Sequence, residues 1–316
     1  MRRKSIYVEI DIKTDIDSLW ERTQTPELHE QWDLRFSKIE YLPRGEGERE
    51  QRFRYQTRIG FGLAIAGTGI TKASDYEGTD GRKRLSVLTF GSDQYLSLIH
   101  KGGGYWKYMQ NGEGMTFSTR YDYQTRCGVI GRWFDYLFFR PLFGFATAWS
   151  FDCLRIWLEK NIPPAVSLQR TVIHYFSVLM ISLLWLYEGL IPKIVYPQAG
   201  ELVILQHTGW FGGWEAQVLQ LLGIAEIGIG VIAVLGHRKA GIYKLQITAL
   251  LALAGAALFK NPDLLQAPFN PLTLSVPMIG FCLVAGWSGL DLPQASRCSR
   301  KPIRPEIRTS IKGEVY

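Results

Sequence analysis

The 316-residue chain has only four cysteines, Cys127, Cys153, Cys282 and Cys298, and five histidines. No two cysteines form a C-x-x-C pair, and no His/Cys group has metal spacing, which excludes a zinc module, a disulfide scaffold and a metal centre as the basis of the fold. Scattered thiols of this kind suit a reduced compartment. There is no P-loop, nucleophile elbow or H-E-x-x-H, so no self-contained catalytic motif and no evident cofactor site. Gly60, Gly62, Gly67 and Gly69 fall short of a dinucleotide fingerprint because residue 65 is Ile, and His29 and His100 stand alone. The basic start, Arg2-Arg3-Lys4, has no apolar h-region behind it, charge recurring at every second residue from Glu9 to Asp17, so a signal peptide is not expected.

Charge is scarce in one half only. Residues 1–165 hold 24 of the 36 Lys+Arg and 21 of the 29 Asp+Glu, whereas residues 171–290 hold five of each sign. A disordered chain and a single water-soluble globule are both excluded. The net charge of +7 does not imply a nucleic-acid partner. The first half is only +3 (24 minus 21), and the excess sits beside apolar runs at Arg238, Lys239, Arg297, Arg300, Lys301, Arg304 and Arg308.

Those runs are Thr171–Ile191, about 216–236, about 240–259 and Leu272–Leu290. Each is close to the length that crosses a hydrocarbon core about 30 Å thick. Lys+Arg counts alternate low, high, low, high through the three loops and the C-terminal tail, predicting both termini on the cytosolic side of the cell (inner) membrane. Gly223, Gly228 and Gly230, with Ala249, Ala252 and Ala256, suit close helix packing. Glu226 falls in the middle of the second span, where a carboxylate must be protonated or paired. Glu188, Lys193, Glu215 and Asn270 converge at the outer level, with Glu201 and His207 in the loop between. They predict an outer polar membrane site that binds a polar head group or relays protons; the alternative is that Glu188 and Lys193 pair and Glu226 bonds a neighbouring helix. His174 is read as interfacial, and Cys298, just past the last span, as open to palmitoylation.

The run Trp185-Leu-Tyr-Glu188-Gly-Leu-Ile-Pro-Lys193, the step Leu222-Gly-Ile-Ala-Glu226 and the opening Pro268-Phe-Asn270-Pro271 resemble the DoxX-like family of four-helix membrane proteins over about 168–292. That resemblance implies a four-helix bundle and association with membrane redox complexes. Without a thiol or haem-ligand pair in the spans, redox chemistry would need a partner's redox centre.

In the first half, Ile6, Val8, Ile10 and Ile12 alternate as a half-buried strand. Asp15 or Asp17 can cap a short helix, and Pro26 starts another that ends at Trp32. Strand-like runs follow at 36–42, 51–59, 66–76, 85–90, 95–100, 105–110 and 116–123, divided by glycines. The segment 130–158 has helical spacing, with Pro141 expected to kink or divide it. Pro163-Pro164 marks a linker at 161–170, and 292–316 reads as a basic cytosolic tail. This order resembles the START-like, polyketide-cyclase-like (SRPBCC) helix-grip fold over about 1–160, with Trp20, Pro26 and Trp32-Asp33 as local cues.

The whole chain thus reads as an α+β helix-grip (START-like) soluble domain, 1–160, followed by an all-α four-helix transmembrane bundle, 171–291. The START-like resemblance implies an apolar cavity for a lipid or quinone ligand. Trp32, Phe134, Phe138, Phe145 and Trp149 would line it or else fill the core. Arg35 and Arg140 would anchor an acidic group or else make salt bridges. The short linker would keep the cavity near the inner leaflet. The leading expectation is a hydrophobic-ligand-binding membrane protein in contact with lipid; the alternatives are a quinone-linked oxidoreductase subunit with a redox or membrane-protein partner, and a non-catalytic scaffold.

Overall fold

A computed structural model describes residues 5–302 apart from 46, 61, 79–80, 113 and 269. Arg2, Arg3, Lys4, Phe269 and the distal tail with Arg304, Arg308 and Lys312 lie outside the described residues. The chain divides into two compact units, Met1–Ser167 with Pro293–Tyr316, and Leu168–Leu292.

In the first unit β1 (Ile6–Ile12) is followed by α1 (Ile16–Gln24) and α2 (Pro26–Trp32). The Asp15 carboxylate caps α1 by accepting from the Ser18 N–H at 2.8 Å, and Pro26 sits in the first turn of α2, where its missing N–H costs nothing. Then come β2 (Lys38–Tyr41), β3 (Gln51–Gly60), β4 (Leu63–Gly78), β5 (Gly81–Gly91), β6 (Ile99–Asn111) and β7 (Gly114–Thr125). All pair antiparallel in the order β1-β7-β6-β5-β4-β3-β2. The predicted strands at 95–100 and 105–110 are one strand: β6 starts at Ile99 and runs straight through Gly102, Gly103 and Gly104. Those glycines are not a turn. A Cβ on Gly102 would meet the Phe90 ring at 2.6 Å, and one on Gly104 would meet the Tyr121 Cβ at 2.4 Å, so they make room for a cross-strand ring and for the close approach of β7.

The last long segment is α3 (Gly128–Phe134), a π-helical turn at Asp135–Phe139, and α4 (Arg140–Lys160). The Arg140 N–H donates to the Asp135 carbonyl, five residues back, and Pro141 follows with no N–H to give. Pro141 therefore neither divides the helix nor breaks it; one residue is inserted just before it. Ala148, Phe151 and Leu154 of α4 pack on Ile10, Trp106 and Phe117 of the sheet, with Phe117 and Phe151 stacked at 4.4 Å. A curved antiparallel sheet against one long helix is the helix-grip arrangement.

Residues 293–302 are not a free tail. The Gln294 N–H donates to the Asp152 carboxylate (2.7 Å), the Cys298 thiol to the Ala148 carbonyl (3.2 Å) and Arg300 to the Gly144 carbonyl (2.6 Å). Ser299 and Glu9 exchange two backbone bonds, which covers part of the edge that β1 would otherwise expose. Cys298 is buried in the core, which contradicts the palmitoylation reading. The linker also shortens, since α4 ends at left-handed Asn161 and the next helix begins at Pro164.

The second unit contains α5 (Pro164–Leu190), a π-helical turn at Ile191–Val195, α6 (Glu201–Thr208), α7 (Glu215–Leu235), α8 (Ala240–Lys260) and α9 (Pro271–Ser288). Among the described residues, four helical stretches are long and apolar enough to cross a membrane: 164–195, 215–235, 240–259 and 271–288. At Gly189 and Gly223 the backbones of α5 and α7 nearly touch; a Cβ on either would lie 2.5–2.6 Å from the other's carbonyl oxygen. Gly230 takes the Ser182 hydroxyl on its carbonyl at 3.0 Å, whereas Gly228 has open space and Ala252 faces outward. Ile181, Trp185, Ala233, Met278, Cys282 and Ala285 form the bundle core.

Candidate functional site

Between the sheet and the α3–α4 segment of the first unit lies a cavity of about 440 Å³. Its wall is apolar on most sides, with Ile39 of β2, Phe53 and Tyr55 of β3, Leu88 and Phe90 of β5, and Phe139 and Phe143 from the helical segment. Gly67 and Gly69 of β4 admit the Tyr55 and Phe53 rings, which approach positions where a Cβ would clash at 2.3–2.4 Å.

One ion pair interrupts this wall. Arg35 donates through Nε and Nη2 to both oxygens of Asp33, at 2.8 and 2.6 Å, and His29 Nε2 donates to the same carboxylate at 3.0 Å. Asp33 and Arg35 are both buried. Burial alone would push the Asp33 carboxyl up, but the Arg35 guanidinium and the His29 and Arg35 hydrogen bonds outweigh it and hold the group well below the usual carboxylate range. The guanidinium carbon also lies 5.5 Å from the Tyr121 ring centre and 5.8 Å from that of Phe143. Burial raises the Tyr55 hydroxyl to about 12, so it stays a neutral donor, to the Gly91 carbonyl at 3.3 Å.

Of the residues predicted for this cavity, Arg35 and Phe134 line it. Trp32 does not; it is 1% exposed in the core, donates to the Arg22 carbonyl and stacks on His29 at 5.0 Å. Phe138 and Phe145 point outward, and Trp149 is buried away from the cavity. The reason is the π turn. Uninterrupted α spacing from Phe134 leads to 138, 145 and 149; the inserted residue rotates the following helix so that Phe139, Phe143 and Ala146 face inward instead. Pro141 was the available signal for that shift. Arg140 is a structural cation, bonded to Asp122 at 3.0 Å and Asp135 at 3.1 Å.

In the second unit, Lys193 is held in the π turn after α5 and is almost fully buried. Its ammonium lies 3.0 Å from Glu226 of α7, 3.6 Å from Glu201 of α6 and 3.9 Å from Glu188 of α5, and donates to the Glu188 carbonyl at 3.3 Å. One cation thus faces three carboxylates. The contact with Glu226 is an ion pair by distance without hydrogen-bond alignment, since Glu226 Oε2 has no well-directed donor. Glu215 and Asn270 do not join this group. Glu215 accepts from the Gly213 N–H at the start of α7, and Asn270 caps α9 in a reciprocal box with Thr273. Glu201, read from the sequence as a loop residue beside this group, lies in α6, which brings it to Lys193.

At the other end of α5, His174 is fully buried within the protein. The Ala285 carbonyl can only accept, so His174 Nδ1 donates to it at 2.9 Å, and the other ring nitrogen, Nε2, lies 2.9 Å from His237 Nδ1 in a shared hydrogen bond. Nineteen residues separate His174 from Lys193, roughly 28 Å of helix, close to the thickness of a hydrocarbon core.

The DoxX-like family profile matches residues 182–283. YndG of Bacillus subtilis (strain 168), an uncharacterized membrane protein, is 43% identical over 305 residues, which is 95% of this chain and 99% of that one. Two solved structures are similar to this chain at low TM-score. One is TTHA0849 from Thermus thermophilus (13% identity, TM-score 0.35, covering 46% of this chain and 89% of that one). The other is a STAR-related lipid transfer protein fragment from Xanthomonas axonopodis (16% identity, TM-score 0.35, 48% and 84%). With four apolar helices and a DoxX-like region following a helix-grip sheet, the chain belongs to the same family of membrane proteins as YndG.

Proposed function

We propose that this membrane protein takes an apolar small molecule of the lipid or quinone class into the cavity of its helix-grip unit, with Arg35 as the polar anchor. The observation that carries this reading is the chamber itself: about 440 Å³ of apolar-walled space beside a buried guanidinium. Both termini lie on the cytosolic side of the cell (inner) membrane. In support, the chain leaves the first unit after Ser167 and rejoins it at Pro293, which requires an even number of crossings between. The Lys+Arg distribution sets the sign. The test is to extract the full chain in lipid nanodiscs, analyse bound small molecules by mass spectrometry, and titrate with a labelled fatty acid and a labelled quinone. A molecule retained at about one per chain, and lost in Ala146→Trp, is expected. No retained molecule and no saturable uptake of either probe would refute it.

One observation favours a second reading, a quinone-linked oxidoreductase subunit that needs a partner's redox centre. Lys193 with its three carboxylates is a proton-handling group at one end of the bundle. Quinone reduction by membranes containing the full chain, lost in Glu226→Gln while ligand retention persists, selects this reading. If neither assay responds, a non-catalytic scaffold is left.

A further inference from the structure

The first unit carries an exposed apolar surface that its own fold does not use. Along α3, the π turn and the start of α4, Ile130 is 80% exposed, Trp133 65%, Phe138 59% and Leu142 65%. The surface does not end with that helix. Leu34, Ile59 at the end of β3 and Leu96 before β6 are each about half exposed, and all three line the cavity together with Phe134 and Leu142. Tyr95, next to Leu96, is 96% exposed. Four separate segments therefore contribute apolar side chains to the mouth of one cavity, and the helical patch continues from it. Isolated exposed apolar residues are ordinary; a contiguous rim of this kind marks an interaction surface.

We infer that this rim is embedded in the interface of a lipid bilayer with anionic headgroups and that it is the doorway through which the cavity communicates with the acyl layer. Three observations select a bilayer over a protein partner. The chain is itself a membrane protein, and only Asn161–Pro163 separate α4 from the helix that contains the first apolar span, so a bilayer is always within reach. The composition is that of an interfacial surface: Trp133 and Tyr136 on the helical segment and Tyr95 on the turn before β6 supply amphipathic rings, and Ile130, Leu137 and Phe138 the apolar side. Along the helical part of the rim the charge also fits: the only acid between residues 128 and 151 is Asp135, which is buried against Tyr123 and Arg140, while Arg132 is exposed; exposed Asp93 near Tyr95 is offset by exposed Arg58 beside Ile59. The inference stands on the membrane reading of the chain and not on occupancy of the cavity, so the two fail separately.

The test uses the full chain with Cys127→Ser, the other three cysteines being buried. Spin labels are placed singly at Trp133→Cys, Leu137→Cys and Tyr95→Cys, and in nanodiscs of phosphatidylcholine and phosphatidylglycerol their collision rates with oxygen and with a water-soluble nickel complex are compared. Glu40→Cys serves as the reference; Glu40 is exposed on β2 next to cavity-lining Ile39, and successive side chains of a strand point to opposite faces. The oxygen-to-nickel ratio is expected to rise above one at 133, 137 and 95 and to stay below one at 40. Ratios below one at all four positions would overturn the inference in favour of a water-facing rim. Low collision rates with both reagents at 133, 137 and 95 would overturn it in favour of a protein partner. Because labels at exposed positions leave the core intact, loss of fold does not obscure the outcome.

Discussion

The Arg35–Asp33 pair allows a test in which the sign of the answer is as informative as its size. Asp33 is buried and takes three side-chain donors, two from Arg35 at 2.8 and 2.6 Å and one from His29 at 3.0 Å. Replacing Arg35 with Met leaves the carboxylate buried beside only an imidazole, a change that costs about 3–5 kcal/mol. For a unit of this size each kcal/mol moves the midpoint by about 2–4 °C, so the first unit should melt roughly 6–20 °C lower. The double replacement Asp33→Leu/Arg35→Met removes both charges and should recover most of that loss, because an apolar pair of similar volume avoids the desolvation cost. The pH dependence should also invert. In the native protein the Asp33 carboxyl lies below its unfolded value, so its contribution is complete above about pH 4 and is lost as pH falls further. In Arg35→Met, burial without the guanidinium lifts the folded value above the unfolded one. That variant should gain stability as pH falls from 7 to 5. Thermal unfolding of the full chain in nanodiscs, followed by tryptophan fluorescence at several pH values, measures all three. A double variant as unstable as the sum of the singles, or an Arg35→Met variant with unchanged pH dependence, would show that the pair does not act as an isolated buried unit.

Asp152→Ala should release residues 293–302 from α4, since Asp152 accepts from the Gln294 N–H at 2.7 Å; one charge-assisted bond at about 1.5–3 kcal/mol predicts at least about tenfold faster tryptic cleavage after Arg297 and Arg300. A change below tenfold would place the anchor elsewhere. Cysteine labelling at pH 8 should stop at one maleimide per chain, on exposed Cys127, because burial pushes the Cys153 and Cys298 thiols to about 12 and Cys282 is buried; four should react after denaturation, as read by intact mass. Lys193→Met should shorten the thermal half-life of the bundle in nanodiscs more than Glu226→Gln does. The first substitution leaves three clustered carboxylates without their cation, a loss of about 3–5 kcal/mol, whereas the second leaves Lys193 with Glu188 and Glu201. Equal half-lives would contradict that account of the cluster.

Local pattern was enough for much of the fold. Alternation in residues 6–12, Asp15 before α1, Pro26 opening α2 and four apolar runs of spanning length each report the burial of one face or one segment, and each formed where expected. Helix-grip order resembled a known arrangement of such elements, and the DoxX-like region was legible through the resemblance of its three motifs to that family. The candidate sites were legible only in part. Arg35 and Phe134 line one cavity in the first unit, and Glu188, Lys193 and Glu226 meet in the second. Phe139 and Phe143 were missed because one inserted residue before Pro141 rotated the helix, a change that periodicity averages over. The His174–His237 pair and the return of Cys298 to the first unit join positions far apart in the chain. A sequence window reports how a segment wants to hide its own surface; which distant segment supplies the cover depends on the closed three-dimensional packing, and that alone decided where the charged and polar groups met.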